Sequence, residues 1–249
     1  MNIIGIIPAR FDSTRFPGKP LIKIGGKTMI RRVYDRCSLS LNNVIVATDD
    51  NRIRKEVEGF GGDVIMTSHD HKSGTDRCAE AVTLYQKSCN EPVDVVINIQ
   101  GDEPFLDPAM LSHLSKIFID PEILISTLVK RISREDDVFD PNLPKVVFDK
   151  NGMALYFSRS PIPYVNNIEK TRWPVEYPFY KHLGIYAFRK EVLMELTQLP
   201  FSLLEQAESL EQNRWLENGY RIHVIETQHE CISIDTPEDL EKINNMNFL

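Results

Sequence analysis

Four cysteines in 249 residues are too few and too scattered to frame a fold. Cys37, Cys78, Cys89 and Cys231 form no CxxC pair and match no zinc spacing, which leaves reduced structural thiols as the plain reading. None of the twelve glycines falls in a GxGxxG pattern, which argues against a dinucleotide oxidoreductase. Gly25-Gly26-Lys27-Thr28 looks like the end of a Walker loop, but the first glycine of that loop would have to stand where Leu21 is. No apolar run approaches the ~20 residues of a membrane span. The N-terminal run is cut short by Pro8, Arg10 and Asp12, and it lacks the basic start of a signal peptide. Positive charge is not in excess either. The formal net charge is −7, so bulk electrostatics does not suit a nucleic-acid partner. A cytoplasmic protein without membrane insertion is the expectation, and any cations that bind phosphate must be placed locally.

What the chain does have is a hydrophobic fraction of 42%, enough for a sizeable core, set out in alternating segments. Apolar runs with the length of buried strands occur at 3–7, 43–47, 63–66 and 93–99. Helical spacing occurs at 27–39, 51–60, 74–89 and 107–119, the last with Asp107 as N-cap and Pro108 at its first position. The first ~120 residues therefore read as repeated βα units, which predicts an α/β fold with a mostly parallel, Rossmann-like sheet and helices on both faces. Strand-like alternation follows at 124–131, 145–148, 154–157 and 183–188, around a proline- and tyrosine-rich excursion at 161–178. A helix over 203–218, a strand over 221–226 and a last short strand at 232–234 leading into a capped helix complete the pattern. The expectation is one domain over residues 1–249, with an inserted β-rich subregion at about 150–190 whose proline- and tyrosine-rich part is either an interaction arm or a substrate lid.

Three cations, Arg10, Arg15 and Lys19, follow the first strand among small and turn-forming residues. The carboxyl edge of the first strand is where open α/β sheets bind ligands, so phosphate binding competes here with a plain basic turn. Asp102, in Gln100-Gly101-Asp102-Glu103-Pro104, ends a buried strand and could hold a hard cation, or could simply cap a turn. Asp235 stands before the last helix, where capping is one role. Meeting Asp102 over a shared metal is the other. His69-Asp70-His71 has no third ligand nearby. The loop Lys72-Ser73-Gly74-Thr75-Asp76-Arg77 is better suited to reading a base or ribose. Phe157-Ser158-Arg159 and the segment from His182 to Tyr186 are, taken alone, aromatic strands with one polar residue each.

Taken together, IIPARFDSTRFPGKPL, ATDD, HKSGTDR, NIQGDEPF, ALYFSRSPIPY, KHLGIYAF and IDTPEDL stand in the order found in the 3-deoxy-manno-octulosonate cytidylyltransferases, and the chain resembles that family over nearly its full length. The resemblance implies a nucleotidyltransferase that joins CTP and 3-deoxy-D-manno-octulosonate (KDO) into CMP-KDO and pyrophosphate for lipopolysaccharide biosynthesis. It further implies Mg2+, a homodimer and a cytoplasmic location. Asp102 and Asp235 would be metal ligands and, with Lys19 and Arg15, the catalytic group. Ala9, Arg10, Arg15, Lys19, Ser73, Gly74 and Arg77 would bind CTP. Gln100, Arg159, His182, Tyr186, Glu211 and Gln212 would bind KDO, with Arg159 as the candidate partner of its carboxylate. Another sugar acid such as sialate, in place of KDO, would leave the chemistry and the fold unchanged. The match departs from the family before the last aspartate, where Glu230–Ile234 lacks the usual glycines, and nothing is carried over onto 161–178.

Overall fold

Ile3–Ala9, apolar almost throughout, forms the first strand (β1), with its middle residues fully buried. A run buried on both sides needs parallel neighbours and helical cover. The structure, a computed structural model, describes residues 1–12 and 16–245, and the chain divides into two compact units.

The first unit takes in Met1–Ser115 and the segment from Glu230 onward. After β1 come β2 (Lys23–Ile24), β3 (Lys27–Thr28), α1 (Met29–Cys37), β4 (Asn43–Thr48), α2 (Asn51–Gly59), β5 (Asp63–Met66), α3 (Gly74–Cys89), β6 (Val95–Asn98) and α4 (Pro108–Ile117). The strands lie in the order β6-β1-β4-β5, all parallel, with Gly5 in register with Val44 on one side and Ile97 on the other. Strand order thus reverses at β1, the switch point where open α/β sheets receive ligands at the carboxyl ends of their strands. α1 packs on β1 and β4, α2 on β4 and β5, and α3 on all four strands.

Gly25 and Gly26, with φ of 53° and 82°, are the two-residue turn of the β2–β3 hairpin. Paired positive φ angles of this kind favour glycine at both places. That accounts for the Walker-like tetrapeptide, and for α1 starting at Met29 instead of Lys27.

The second unit spans Lys116–His229 and so extends on both sides of the 150–190 subregion expected from sequence. It contains β7 (Ile125–Arg131), α5 (Glu135–Phe139), β8 (Lys145–Phe148), β9 (Ala154–Ser158), α6 (Trp173–Glu176), β10 (Tyr180–Arg189), α7 (Lys190–Leu196), α8 (Leu203–Glu208), α9 (Glu211–Glu217) and β11 (Ile222–Glu226). β11 pairs with β7 in parallel, while β7–β10, β10–β8 and β8–β9 are antiparallel. The excursion at 161–178 is anchored by Trp173, which packs with Ile132, Val138 and Phe179, and whose indole N–H donates to Ile168 O at 3.0 Å.

Two segments differ from the sequence expectation. The helix predicted over 203–218 is broken at Ser209, which adopts a left-handed φ of 52° and ends α8. Arg214 of α9 reaches back across the break to Glu205 and also pairs with Glu211. The run 232–234 is no strand. Ile234 N donates to Asp102 O at 3.0 Å, and Ile234 packs with Ile24, Met29 and Ile243 of the last helix, α10 (Pro237–Asn245). One main-chain bond and this apolar cluster hold the segment in place of a ladder.

The chain runs close to itself at Gly101, where a Cβ would stand 3.0 Å from Pro8 O of β1. Gly101→Ala is expected to lower stability by about 1–3 kcal/mol in urea denaturation, because main chain has to move to admit a methyl group. An unchanged midpoint would show that the loop yields freely.

Candidate active site

β1 and β6 both end at the switch point, and their following loops carry the charged groups. Gly18, at φ 73°, turns the chain into a single 3₁₀ turn at Lys19–Leu21. That turn aims the Lys19 side chain at the loop after β6. Lys19 Nζ lies 2.6 Å from Asp102 Oδ2 and 3.0 Å from Asp235 Oδ1. The two acids expected to meet therefore converge on Lys19, although they lie far apart in the sequence. Asp235 is held from behind by α10, since its own N–H and that of Thr236 donate to Asp239 Oδ2 at 3.2 and 3.1 Å. Lys19, expected to point at a triphosphate, is here the clamp between the two carboxylates.

A third acid, which the sequence analysis passed over, stands beside them. Glu103 is buried, and its Oε2 has no hydrogen-bond partner among the described residues. Burial first, then the charges of Asp102 and Asp235, push its carboxyl up to about 7. The signal was present as the adjacent acids of Gly101-Asp102-Glu103, but only the fold shows that the second one turns inward. Paired carboxylates at a strand edge are the donor set that a hard divalent cation accepts, with phosphate oxygens completing its shell. Asp102 and Asp235 fit that requirement, because they already converge on one cationic centre.

Ser73 and Gly74 open α3. Ser73 Oγ accepts from Asp76 N at 3.1 Å and Asp76 Oδ2 accepts from Ser73 N at 3.3 Å, a capping box that leaves the Ser73 hydroxyl proton for another acceptor. Gly74 lets the helix start against Pro8, whose Cγ would be 3.4 Å from an added Cβ. Ala9 is buried in β1, so any contact with a nucleotide must come through its main chain. Arg10 is exposed just past the strand, while Arg15 lies outside the described residues. Gln100 follows β6 in this first unit, apart in the chain from the other residues assigned to the sugar.

Arg77 requires a correction. It was expected to bind CTP, but its side chain is 1% exposed, and its guanidinium donates to Thr67 Oγ1 at 2.7 Å and Asp49 Oδ2 at 2.9 Å. Its position on α3 turns it into the protein, where it ties α3 to the ends of β4 and β5.

In the second unit, the structure brings His182, Tyr186 and Glu211 together. The His182 and Tyr186 rings are 5.1 Å apart, and Tyr186 meets Trp215 edge-on at 5.0 Å. Burial, then the charge of Glu211, raises the Tyr186 phenol. Tyr186 Oη, Gln212 Nε2 and Trp215 Nε1 are buried and without hydrogen-bond partners among the described residues. Orphaned polar atoms are rare in folded proteins, so these three, on β10 and α9, are candidates for a polar ligand. Trp215 was not among the sequence candidates. Only packing distinguishes it from an ordinary core indole. Arg159, expected to take a carboxylate, is largely committed: Nε donates to Glu208 O at 2.7 Å, Nη1 to Pro141 O at 2.9 Å and Nη2 to Ser209 O at 3.3 Å. Two of its five N–H groups remain for a ligand.

Two measurements test these placements. Arg77→Gln is expected to cost about 3 kcal/mol of stability, the usual result of stripping one partner from a buried ion pair, with the KM for CTP nearly unchanged. A raised KM at full stability would return Arg77 to the nucleotide site. Burial pushes the His182 imidazole down to about 3, so the folded ring stays neutral while the unfolded one gains a proton below about 6.5. The stability that this ring contributes is therefore present above pH 6.5 and fades as pH falls toward 3. Between pH 7.5 and pH 5 the stability gap between wild type and His182→Gln should narrow by about 1–2 kcal/mol. A gap independent of pH would contradict the neutral, buried ring.

The family model described as Cytidylyltransferase matches residues 4–225. Over 246 residues the chain is 56% identical to the 3-deoxy-manno-octulosonate cytidylyltransferase of Parabacteroides distasonis, covering 97% of this chain and 96% of that one. It is 54% identical to the protein of the same name from Bacteroides thetaiotaomicron, with the same coverage. A solved CMP:2-keto-3-deoxy-manno-octonic acid synthetase complexed with CTP matches with a TM-score of 0.89 at 42% identity, over 99% of this chain and 98% of that one. With two acids converging on Lys19 and identity of this order along nearly its whole length, the chain belongs to the 3-deoxy-manno-octulosonate cytidylyltransferase family.

Proposed function

We propose that this chain transfers CMP from CTP to KDO, releasing pyrophosphate. The observation that carries the reading is the meeting of Asp102 and Asp235 on Lys19 in a chain of this family. The anomeric hydroxyl of KDO attacks the α-phosphorus of CTP in line. An O–P bond forms, the bond to the β-phosphate oxygen breaks, and the hydroxyl proton passes to solvent. Such transfers depend on positioning and charge neutralisation more than on a dedicated base. Asp102 and Asp235 would hold Mg2+, which when bound neutralises the triphosphate and polarises its α-phosphorus. Lys19 keeps the two carboxylates together, and Lys19 and Arg15 would stabilise the charge that develops on the leaving pyrophosphate. Arg10 and the main chain at Ala9, Ser73 and Gly74 hold the nucleotide.

The second unit supplies the acceptor-sugar residues. His182, Tyr186, Glu211 and Gln212 offer neutral hydrogen-bonding groups and one carboxylate to the hydroxyls of KDO. The two remaining N–H groups of Arg159 meet the sugar's carboxylate. The product serves lipopolysaccharide assembly in the cytoplasm, and no helix among the described residues is long and apolar enough to cross a membrane. The working form is a homodimer. Tyr164, Val175 and Tyr177 on the 161–178 excursion leave apolar surface exposed, which supports an interface with a second copy.

Pyrophosphate release on mixing protein, CTP, Mg2+ and KDO tests the reaction, with sialate as the competing acceptor. Turnover with KDO and none with sialate is the expected result, and the reverse preference would replace the acceptor. Asp102→Asn and Asp235→Asn should each lower kcat by at least about 10²–10³-fold while circular dichroism stays native, as expected when a group that neutralises transition-state charge is lost. Near-normal turnover in either variant would remove the shared metal site.

A further inference from the structure

β10 departs from regular pairing at one place. His182 and Leu183 face Val129 and Leu128 of β7, yet the next paired residue, Tyr186, faces Thr127. Gly184 and Ile185 are therefore additional residues looped out of the ladder. In an extended strand, residues four apart stand roughly 13 Å from one another. Here the His182 and Tyr186 ring centroids are 5.1 Å apart. An irregularity of this kind takes main-chain groups out of the ladder. Thr127 supplies the missing partner: its Oγ1 lies 2.7 Å from Ile185 O and 3.2 Å from Leu183 O. The same oxygen lies 2.9 Å from His182 Nε2.

A threonine hydroxyl has one proton, and a carbonyl oxygen can only accept. The proton therefore goes to the bulge, with Ile185 O the nearer acceptor. Giving it to the imidazole instead would leave two carbonyl oxygens facing the lone pairs of Oγ1. With its proton committed, Oγ1 meets Nε2 as an acceptor, and Nε2 must carry the hydrogen. The ring is neutral, because burial disfavours its charged form. Nδ1 is then the nitrogen with the lone pair. The edge of Phe157, 5.1 Å away, packs against the imidazole and limits its rotation.

We infer that Thr127 is a positioning residue for the acceptor sugar: its hydroxyl, held by the bulge carbonyls, locks His182 as the Nε2–H tautomer and leaves Nδ1 to accept a hydrogen bond from a sugar hydroxyl. The inference rests on the reading of His182 as a sugar-binding residue, and it adds the group that sets which nitrogen accepts.

Full-length protein labelled with 15N-histidine provides the test, since two-bond 1H–15N spectra distinguish the two neutral tautomers, and His182→Gln identifies the signal. Wild type and Thr127→Ser should both show Nε2–H at pH 7.5. Thr127→Val should lose that signature, and its KM for KDO should rise about tenfold, the worth of one hydrogen bond of ordinary strength, with the KM for CTP unchanged. Thr127→Ser should restore both. An Nδ1–H or cationic ring in the wild type overturns the proposal, as does an unchanged KM for KDO in a folded Thr127→Val. Should the valine variant fail to fold, the wild-type and serine spectra still decide the tautomer. Wild-type protein that shows Nε2–H yet leaves KDO unreacted would overturn the sugar role alone.

Discussion

The contact between Lys19 and the two aspartates is the constraint on which the rest of the first unit turns. Asp102 and Asp235 repel one another, and Glu103 adds a third acid beside them. Burial first, and the charges of Asp102 and Asp235 after it, raise the Glu103 carboxyl to about 7. An arrangement of this kind persists only because the surrounding fold over-determines it. Gly101 lets the loop after β6 lie against Pro8. Gly18 turns Lys19 inward. Ile234 bonds to Asp102 O and packs in an apolar cluster with Ile24, Met29 and Ile243. Each is a local choice of small or apolar residue, and together they force like charges into one place.

The second unit solves a different problem. Its cations are mostly occupied. Arg214 pairs with Glu205 and Glu211, and the guanidinium of Arg159 rests on three carbonyls. What it leaves available is neutral: the phenol of Tyr186, the amide of Gln212 and the indole N–H of Trp215, all buried and unpartnered among the described residues. Directional, uncharged groups suit a polyhydroxylated acceptor, which is read by the placement of its hydroxyls more than by its charge. Strong charge marks the first unit, and neutral hydrogen-bonding groups mark the second.

Much of this was legible in the chain. The βα alternation of the first ~120 residues names the parallel sheet, and the cations after β1 and the acid after β6 follow from where such sheets bind ligands. The less legible parts have specific physical causes. Arg77 was expected among the CTP-binding residues because nothing in one dimension tells which side of α3 faces Asp49. The break at Ser209 is hidden because serine tolerates a helix well enough to leave the periodicity intact. Gly25-Gly26 resembles a phosphate loop because glycine serves a hairpin turn by the same freedom of φ. Glu103 and Trp215 gain their significance only from burial.

By itself the sequence determined the order of the elements, the type of sheet and the residue types that could carry the chemistry, because these depend on short-range pattern and on the rule that ligands gather at strand ends. Tertiary structure alone decided which charges face each other and which are already spent. Lys19 meets acids 83 and 216 residues away, Arg77 turns into the protein, and a two-residue irregularity in β10 brings His182 beside Tyr186. Those outcomes depend on long-range packing and on how each buried polar group finds a partner, and no local window of sequence contains either.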